Sequence, residues 1–322
     1  MQRKISEEYV GEDVDKLITI DVGSRGIVHD LYKAARELTK KPLAMSAAQR
    51  ILEKVKEGES VFIFTGFRIP PKYIQETDGP LGAASLARFF IKALKLKPTI
   101  FIERESANIL LRVLNSVGVV VKGFKGKAAI LDYPMDFNEA VNAAESLLDN
   151  YEPPLIIAIE KAGSNVRGVY HNMKGLDISK YHIKVEPILE LARKRNILTI
   201  GIGDGGNEVG MGNIIDVVRK CVPYGEVCRC PCKAGIAATS RVDVLVVSSV
   251  SNWGGYGIEA CLAYLTGKRK YMHKPLHEKA MLKTAIEAGA IDGVTGKPSL
   301  SVDGISYSVH RSIVEVLNRL IA

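Results

Sequence analysis

The residues with the clearest chemical potential lie in one glycine-rich stretch, Thr199–Gly212, which reads T-I-G-I-G-D-G-G-N-E-V-G-M-G. Asp204, Asn207 and Glu208 stand there among six glycines, whose missing side chains let another group approach the backbone. Two neighbouring carboxylates favour a cation, either a divalent metal ion or a substrate ammonium. The plainer interpretation is a glycine turn whose acidic side chains are only solvated.

The neighbouring elements should place this stretch at the end of a strand. The apolar run Ile197–Ile202 predicts a short buried strand, and the residues that lead towards Val218 are compatible with a helix. If this helix starts near Gly205, Asp204 caps it and Glu208 lies one turn later, towards the same side.

The same stretch also contains G-x-G-x-x-G, at Gly201, Gly203 and Gly206, the pattern of dinucleotide-binding turns. Such a turn leads through a helix into a second strand, whereas the next convincing strand here, Val242–Val247, comes only after a Cys-rich segment. Two carboxylates would also repel a pyrophosphate at the helix start. We therefore expect no nucleotide, although a nucleotide-dependent enzyme stays an alternative.

Length and composition indicate an ordinary globular protein. The chain has 322 residues, 47% hydrophobic and 25% charged, with a formal net charge of +8. Its basic residues form no stripe with interleaved aromatics, so we expect small anionic substrates and no nucleic-acid partner. Glutamine occurs only at positions 2, 49 and 75 while Lys and Glu abound, a faint indication of a thermophilic source.

Neither the start of the chain nor its apolar runs indicate export or a membrane. The start, M-Q-R-K-I-S-E-E, has no apolar run behind its charges, and no apolar stretch approaches the roughly 20 residues of a membrane helix. The five cysteines are an odd number and do not suggest a secreted disulfide framework. We expect a cytoplasmic protein without a membrane partner, and a homo-oligomer stays open.

The chain divides into an N-terminal helical arm, residues 1–58, and one α/β domain, residues 59–322. The arm contains helical patterns at Ile27–Leu38 and Ala44–Val55, preceded by a loop, Asp21–Gly26, whose arginine could reach a carboxylate but is more often a surface salt bridge. The domain alternates strands with helices, which predicts a mainly parallel, Rossmann-like sheet flanked by helices. The predicted strands are Val61–Thr65, Thr99–Ile102, Val117–Val121, Ala128–Leu131, Leu155–Ile159, Leu198–Ile202 and Val242–Val247. The predicted helices are Leu81–Leu94, Ala107–Ser116, Phe137–Leu148, Val185–Arg195 and Asn207–Val218, with two more in the tail over Pro275–Ala290 and Ile305–Ile321.

Ligands of such sheets bind beyond the carboxyl ends of the strands, where further unusual loops should meet the glycine-rich stretch. They are Thr65–Pro71 with Glu76–Ala83, the long polar loop Glu160–Gly175, and Ser248–Gly257, which carries the only tryptophan. This density of glycine, asparagine and acidic residues is hard to explain by structure alone, so we expect these loops to form a site.

Together these loops resemble a known family, the C-terminal domain of D-glutamate cyclase. The strings that carry the resemblance are I-E-K-A-G with Y-H-N-M-K-G-L-D-I-S, T-I-G-I-G-D-G-G-N-E-V-G-M-G and S-N-W-G-G-Y, and less specifically T-G-F and E-T-D-G-P-L-G-A. The resemblance covers the chain from about Ile18 to Gly267. The eukaryotic enzymes of this family carry a further N-terminal domain, which we do not expect in this chain.

The resemblance implies a lyase that converts D-glutamate, or a related amino dicarboxylic acid, to 5-oxo-D-proline with loss of water. On that basis we assign catalytic roles to Glu160 or His171 as base and to Asp204 and Glu208, which could hold the ammonium or a divalent ion such as Mg²⁺ or Mn²⁺. Lys161 or Arg68 could bind a carboxylate, and the amides at Gly79–Gly82 and Gly254–Gly255 could hold an anion. The substrate-binding candidates are Thr65, Gly66, Arg68, Asp78, Gly79, Gly82, Lys161, Asn165, Asn172, Asn207, Ser251, Asn252, Trp253, Gly254 and Gly255.

The cysteines at positions 228, 230 and 232 form a separate C-x-C-x-C pattern. On an extended strand all three would face one side. Zinc sites usually contain C-x₂₋₄-C pairs, so we regard zinc as less favoured than a hairpin with free thiols; a disulfide is a further alternative. Cys261, in a helical pattern, is expected in the core.

Three functional classes therefore stay open. The leading hypothesis is intramolecular lyase chemistry on a small anionic amino acid such as glutamate. The others are a nucleotide-dependent enzyme and a non-catalytic amino-acid-binding or regulatory protein, since a fold alone does not determine function.

Overall fold

The computed structural model describes residues 6–121 and 128–322. Its α-helices are α1 (Glu7–Ile18), α2 (Val28–Thr39), α3 (Leu43–Lys54), α4 (Pro80–Phe89), α5 (Ala107–Ser116), α6 (Phe137–Tyr151), α7 (Glu186–Lys194), α8 (Ile215–Cys221), α9 (Ser251–Thr266), α10 (Pro275–Glu287) and α11 (Tyr307–Leu320). Its strands are β1 (Ser60–Thr65), β2 (Arg68–Ile69), β3 (Ile74–Gln75), β4 (Lys97–Phe101), β5 (Ala129–Leu131), β6 (Leu155–Ile159), β7 (Leu198–Gly203), β8 (Val244–Val247), β9 (Ser301–Val302) and β10 (Ile305–Ser306).

A six-stranded, all-parallel sheet in the order β5-β4-β1-β6-β7-β8 forms the centre of the molecule. Numbered along the chain, its strands follow the order 3-2-1-4-5-6 of dinucleotide-binding folds, and the strand order reverses between β1 and β6. The predicted parallel, helix-flanked, Rossmann-like sheet is thus confirmed. A crevice between the carboxyl ends of β1 and β6 is where such sheets bind ligands.

Helices cover both faces of the sheet, and β1 shows why its sequence is apolar throughout. Val61 and Ile63 belong to the larger core, which includes α3, α4, α5 and α9, whereas Phe62 and Phe64 point into the smaller core beside α6 and α7. Successive side chains of a strand point to opposite faces, so a strand covered on both sides must be apolar at every position.

The N-terminal helices pack against β8 and α9 and extend to the edge of the sheet where the carboxyl ends of the strands lie. Helix α1 contacts α3 and α9, and both α2 and α3 contact β8. Buried Asp15 fixes the start of α3, because its carboxylate accepts hydrogen bonds from the amides of Leu43 and Ala44. The carbonyl of Ile18, the last residue of α1, accepts a 2.9 Å hydrogen bond from the amide of Ser249, so the loop between α1 and α2 begins beside the end of β8.

Two predicted elements are wrong. The apolar residues Val117–Val121 follow the end of α5 and form a turn and one isolated bridge, from Val121 to Ala128. The helix predicted over Asn207–Val218 begins later than predicted, because residues 204–210 form a loop after β7, a 3₁₀ turn follows at Met211–Ile214, and α8 begins only at Ile215. Gly210, with φ of 99°, interrupts the helical course. The other predicted strands and helices are present with bounds that differ by at most three residues, except that the helix predicted over Leu81–Leu94 is α-helical only to Phe89 and continues as a π-helical segment, Phe90–Leu94.

Among the described residues, no helix combines the length and the apolar character that crossing a membrane requires.

Candidate active site

An acidic cavity of about 530 Å³ opens at the carboxyl edge of the sheet. Five carboxylate side chains line it, and two cationic side chains, Arg25 and exposed Lys174, face them. The carboxylates belong to Glu76, Glu160, Asp204, Glu208 and Asp303. The predicted position of the site, beyond the strand ends, therefore coincides with a cavity of small-molecule size.

Glu160, Asp204 and Glu208 form the centre of this cavity. They follow β6 and β7, and one carboxylate oxygen of each lies within 4.8 Å of the others. Glu160 adopts a left-handed backbone conformation, with φ of 42°, and its Oε2 accepts a 2.6 Å hydrogen bond from the Ser251 hydroxyl at the start of α9. A strained non-glycine residue held in this way at a strand end is typical of a functional position.

The glycine-rich loop is organised by Glu208 and not by a helix start. The two carboxylate oxygens of Glu208 accept hydrogen bonds from the amides of Gly205, at 2.8 Å, and Gly206, at 2.7 Å. Asp204 consequently caps no helix, contrary to the sequence-based prediction.

This loop also lacks the features of a nucleotide-binding turn. The amides of Gly205 and Gly206, which a phosphate at this turn would need, already donate to the carboxylate of Glu208. The loop follows the fifth strand of the sheet along the chain, whereas the dinucleotide fingerprint follows the first. Both observations argue against the nucleotide alternative.

Arg25 supplies a partly buried positive charge to the cavity. Its Nη1 lies 2.9 Å from Oδ2 of Asp204. Although burial opposes the charge of the guanidinium, Asp204 and Asp303 raise the pKa of Arg25 above its ordinary value. The surface salt bridge that we expected for this arginine is instead an ion pair within the site.

Asp78 lies behind the cavity and joins two helix starts. Its carboxylate accepts hydrogen bonds of 2.8 Å from the amides of Ser251 and Asn252, at the start of α9, and one of 3.0 Å from Gly79. An oxygen of Asp78 also lies within 4.8 Å of those of Asp204 and Asp303. Burial, followed by repulsion from Asp204, raises the pKa of Asp78 to about 8.

It is energetically unfavourable for all the cavity carboxyl groups to be ionised at the same time. Burial, with repulsion from neighbouring carboxylates, raises the pKa values of Glu76, Glu160 and Asp303 well above their ordinary values and that of Glu208 to about 7. Arg25 offsets only part of this negative charge. Such a group of acids either retains protons or attracts a cation.

The predicted anion-binding amides have other roles. The Asn252 side-chain oxygen accepts hydrogen bonds from the amides of Gly79, at 3.0 Å, and Gly82, at 2.6 Å. Gly82 faces Gly255, and a Cβ at Gly254 would lie 2.5 Å from Ile202. Gly82 and Gly255 therefore let α4 and α9 pack closely, Gly254 lets α9 approach β7, and these residues do not line the cavity as a free anion site.

The two predicted carboxylate-binding cations are also used within the protein. Lys161 is fully buried, forms an ion pair with Glu103, and donates a 2.9 Å hydrogen bond to the carbonyl of Gly66. Arg68 donates to the carbonyl of Tyr73 and pairs with Glu105 at 3.3 Å. Neither side chain lines the cavity.

The remaining candidates divide between the cavity wall and the interior. Asn172 and Asn207 line the cavity, whereas Thr65 is buried at the end of β1 beside Gly79. Asn165 orders its own loop through the amides of residues 167 and 169, and Trp253 is buried, its indole donating to His310. His171 is buried as well, with both ring nitrogens directed at Val169 and the cysteines.

Four charged residues of the cavity, Arg25, Glu76, Lys174 and Asp303, were absent from the sequence-based site. Arg25 and Asp303 come from turns far from β6 and β7 in sequence, and no local motif marks them. Glu76 lies in the quoted string E-T-D-G-P-L-G-A, which was its only available signal.

Comparison with known proteins agrees with the motifs that occupy this edge. The sequence profile described as D-glutamate cyclase-like, C-terminal, matches residues 14–318. The human protein named D-glutamate cyclase, mitochondrial, is 31% identical over 348 aligned residues, which cover 96% of this chain and 51% of the human protein. The chain thus spans about half the length of this relative, and it belongs to the D-glutamate cyclase-like C-terminal family.

Proposed function

We propose that this protein cyclises D-glutamate, or a closely related amino dicarboxylic acid, to the corresponding 5-oxo lactam with release of water. The cluster of three carboxylates, from Glu160, Asp204 and Glu208, in the cavity of a chain from this family supports the proposal. The human relative bears the name of this activity, which extends to the present chain only as a proposal.

The reaction joins the substrate nitrogen to its γ-carboxyl carbon and breaks one bond from that carbon to oxygen. Two protons leave the ammonium, and two protons end on the departing oxygen, which becomes water. The site must therefore accept and donate protons near neutral pH while it holds the substrate folded.

The cavity acids suit this exchange of protons. Glu208 and Asp78 have pKa values of about 7 and about 8, so both carboxyl groups exchange protons in the neutral range. A bound ammonium or metal cation lowers the pKa of neighbouring carboxyls, and Glu208, whose oxygens accept two backbone N–H bonds, ionises more readily than Glu160. We assign Glu208 as the base for the ammonium and Glu160, which retains its proton more strongly, as the donor to the departing oxygen.

The cavity also separates the charges of a dicarboxylic amino acid. The acids at its centre attract the ammonium, while Arg25, beside Asp204, and Lys174, at the exposed side, are available to the substrate carboxylates. The oxygen ligands and mutual repulsion of Glu160, Asp204 and Glu208 also suit Mg²⁺ or Mn²⁺. Such an ion, held by these three carboxylates, would supply positive charge that offsets the γ-carboxylate.

Proton NMR of D- and L-glutamate incubated with the purified protein, with and without Mg²⁺ or Mn²⁺, tests this function. We expect 5-oxoproline from the D enantiomer, and loss of the product in Glu160→Gln and Asp204→Asn. The matched control is Glu145→Gln, an exposed residue of α6 that lies outside the cavity. Stabilisation by glutamate without any product would instead indicate an amino-acid-binding protein.

A further inference from the structure

A second group of metal-ligand side chains lies apart from the acidic centre. Cys228, Cys230 and Cys232 follow α8, and the structure places the imidazole of His171, from the loop after β6, beside their thiols. The sulfur of Cys228 lies 3.5 Å from that of Cys230 and 3.3 Å from that of Cys232. The Nε2 atom of His171 lies 3.2 Å from the Cys230 sulfur and 3.6 Å from the Cys232 sulfur.

These four side chains converge although the cysteines are not on an extended strand. Residues 228–232 consist of bends and turns, which direct the side chains inward. His171, Cys228 and Cys230 are buried and Cys232 is partly exposed. The amides of Arg229, at 2.9 Å, and Cys230, at 3.2 Å, donate hydrogen bonds to the carbonyl of Gly175, so the backbone fixes the two loops beside each other.

The histidine is oriented as a metal ligand would be. Its Nδ1 lies 3.1 Å from the carbonyl oxygen of Val169, which can only accept a hydrogen bond, so the proton belongs on Nδ1. The lone pair of Nε2 then faces the three sulfur atoms. Metal-bound histidines nearly always donate their second ring N–H to a carbonyl or a carboxylate in this manner.

The spacing matches a tetrahedral metal centre. Zinc bonds of about 2.3 Å to sulfur and about 2.0 Å to nitrogen imply separations of roughly 3.5–3.8 Å between ligand atoms. The observed separations of 3.2–3.6 Å are slightly shorter, so the four side chains need to move apart only slightly to accommodate an ion. Thiolate and imidazole ligands select zinc over Mg²⁺ and Mn²⁺, which prefer oxygen.

We propose that His171, Cys228, Cys230 and Cys232 form a Cys₃His zinc site. Four protein ligands leave no open position for substrate, so the site is structural and not catalytic. The zinc ion would link the loop after β6 to the segment after α8. Asn172, which lines the acidic cavity, is adjacent to His171, so this link would also fix the position of one cavity wall.

Metal analysis of the full chain, purified without chelator from zinc-supplemented cells, tests the site. We expect about one zinc ion per chain, and reconstitution of the chelated protein with Co²⁺ should produce the intense visible absorption of tetrahedral thiolate coordination. Cys228→Ser and His171→Ala should both lose the ion on dialysis. Cys221→Ser, at the end of α8 and outside the group, should retain it.

If these variants do not fold, the alkylation of the cysteines in the wild-type protein tests the site instead. Zinc should protect the three thiols of the site from alkylation, with protection lost on chelation, and the site of each alkylation is read by peptide mass spectrometry. A folded wild-type chain that takes up neither zinc nor Co²⁺, that holds iron instead, or that joins Cys228 to Cys232 in a disulfide would overturn the proposal.

Discussion

The guanidinium of Arg25 lies 2.9 Å from the carboxylate of Asp204. This contact joins the loop between α1 and α2 to the end of β7, so the N-terminal segment completes the acidic cavity. An arginine paired with a carboxylate in a cavity is positioned to bind a substrate carboxylate through its remaining donors.

Replacing this arginine should impair substrate binding. For Arg25→Gln we expect kcat/KM for D-glutamate to fall by about 10- to 100-fold, mainly through KM, as the loss of a hydrogen bond to a charged group predicts. Arg104→Gln is the control, because Arg104 is exposed and pairs with Asp132 outside the cavity. Equal loss of activity in both variants, or none in either, contradicts the role of Arg25.

The raised carboxyl pKa values should make the metal-free protein less stable as the pH rises. Folding raises the pKa of Glu208 from 4.5 to about 7 and that of Asp78 from 3.8 to about 8. The folded state thus binds these protons more tightly, and the stability they contribute is complete below about pH 4 and lost by about pH 8. In Glu208→Gln, which stays neutral, Tm should therefore fall less across this range.

The difference between the two Tm profiles is the quantity to measure. Burial lowers the pKa values of His182 and His310, and this acts in the opposite sense, because stability is then lost as the pH falls. These histidines are common to both proteins and cancel in the difference. Parallel profiles for wild type and Glu208→Gln would show that Glu208 is not held protonated, while Glu145→Gln should follow the wild type.

Lys161 should contribute to the stability of the fold and not to substrate binding. Replacing it with methionine leaves the buried Glu103 carboxylate without its partner, so we expect Lys161→Met to lose about 3–5 kcal/mol in the free energy of unfolding. The double variant Lys161→Met, Glu103→Gln should recover much of this loss. Denaturant unfolding measures both, and a stable Lys161→Met protein with a raised KM would return Lys161 to the substrate site.

Much of the fold and the centre of the site were predictable from local sequence patterns. Continuous apolar runs such as Leu155–Ile159 predict buried parallel strands, and the residues directly after them, Glu160 and Asp204, are placed by chain connectivity alone. An apolar run and its periodicity are properties of a few neighbouring residues, so these assignments follow from the sequence without the tertiary structure.

The roles of polar groups were less predictable, because they depend on partners distant in sequence. The amides of Gly79 and Gly82 are satisfied by Asn252, and those of Gly205 and Gly206 by Glu208, so neither pair is free for an anion. The spacing of the three cysteines favoured free thiols over zinc, because the fourth side chain of the cluster, His171, lies in another loop. In each case the sequence contains the interacting residues, but only the fold brings them together.

In the proposed reaction the amine of D-glutamate attacks its own γ-carboxyl group within the acidic cavity. Mass spectrometry of the product formed from D-glutamate with both γ-oxygens labelled as heavy oxygen follows the carbon–oxygen bond that this attack breaks. We expect 5-oxoproline that retains one labelled oxygen, with the other released as labelled water, and no product from Asp204→Asn. The proposed reaction is wrong if the folded, metal-supplied wild-type protein forms no 5-oxoproline, or if Asp204→Asn forms it equally well.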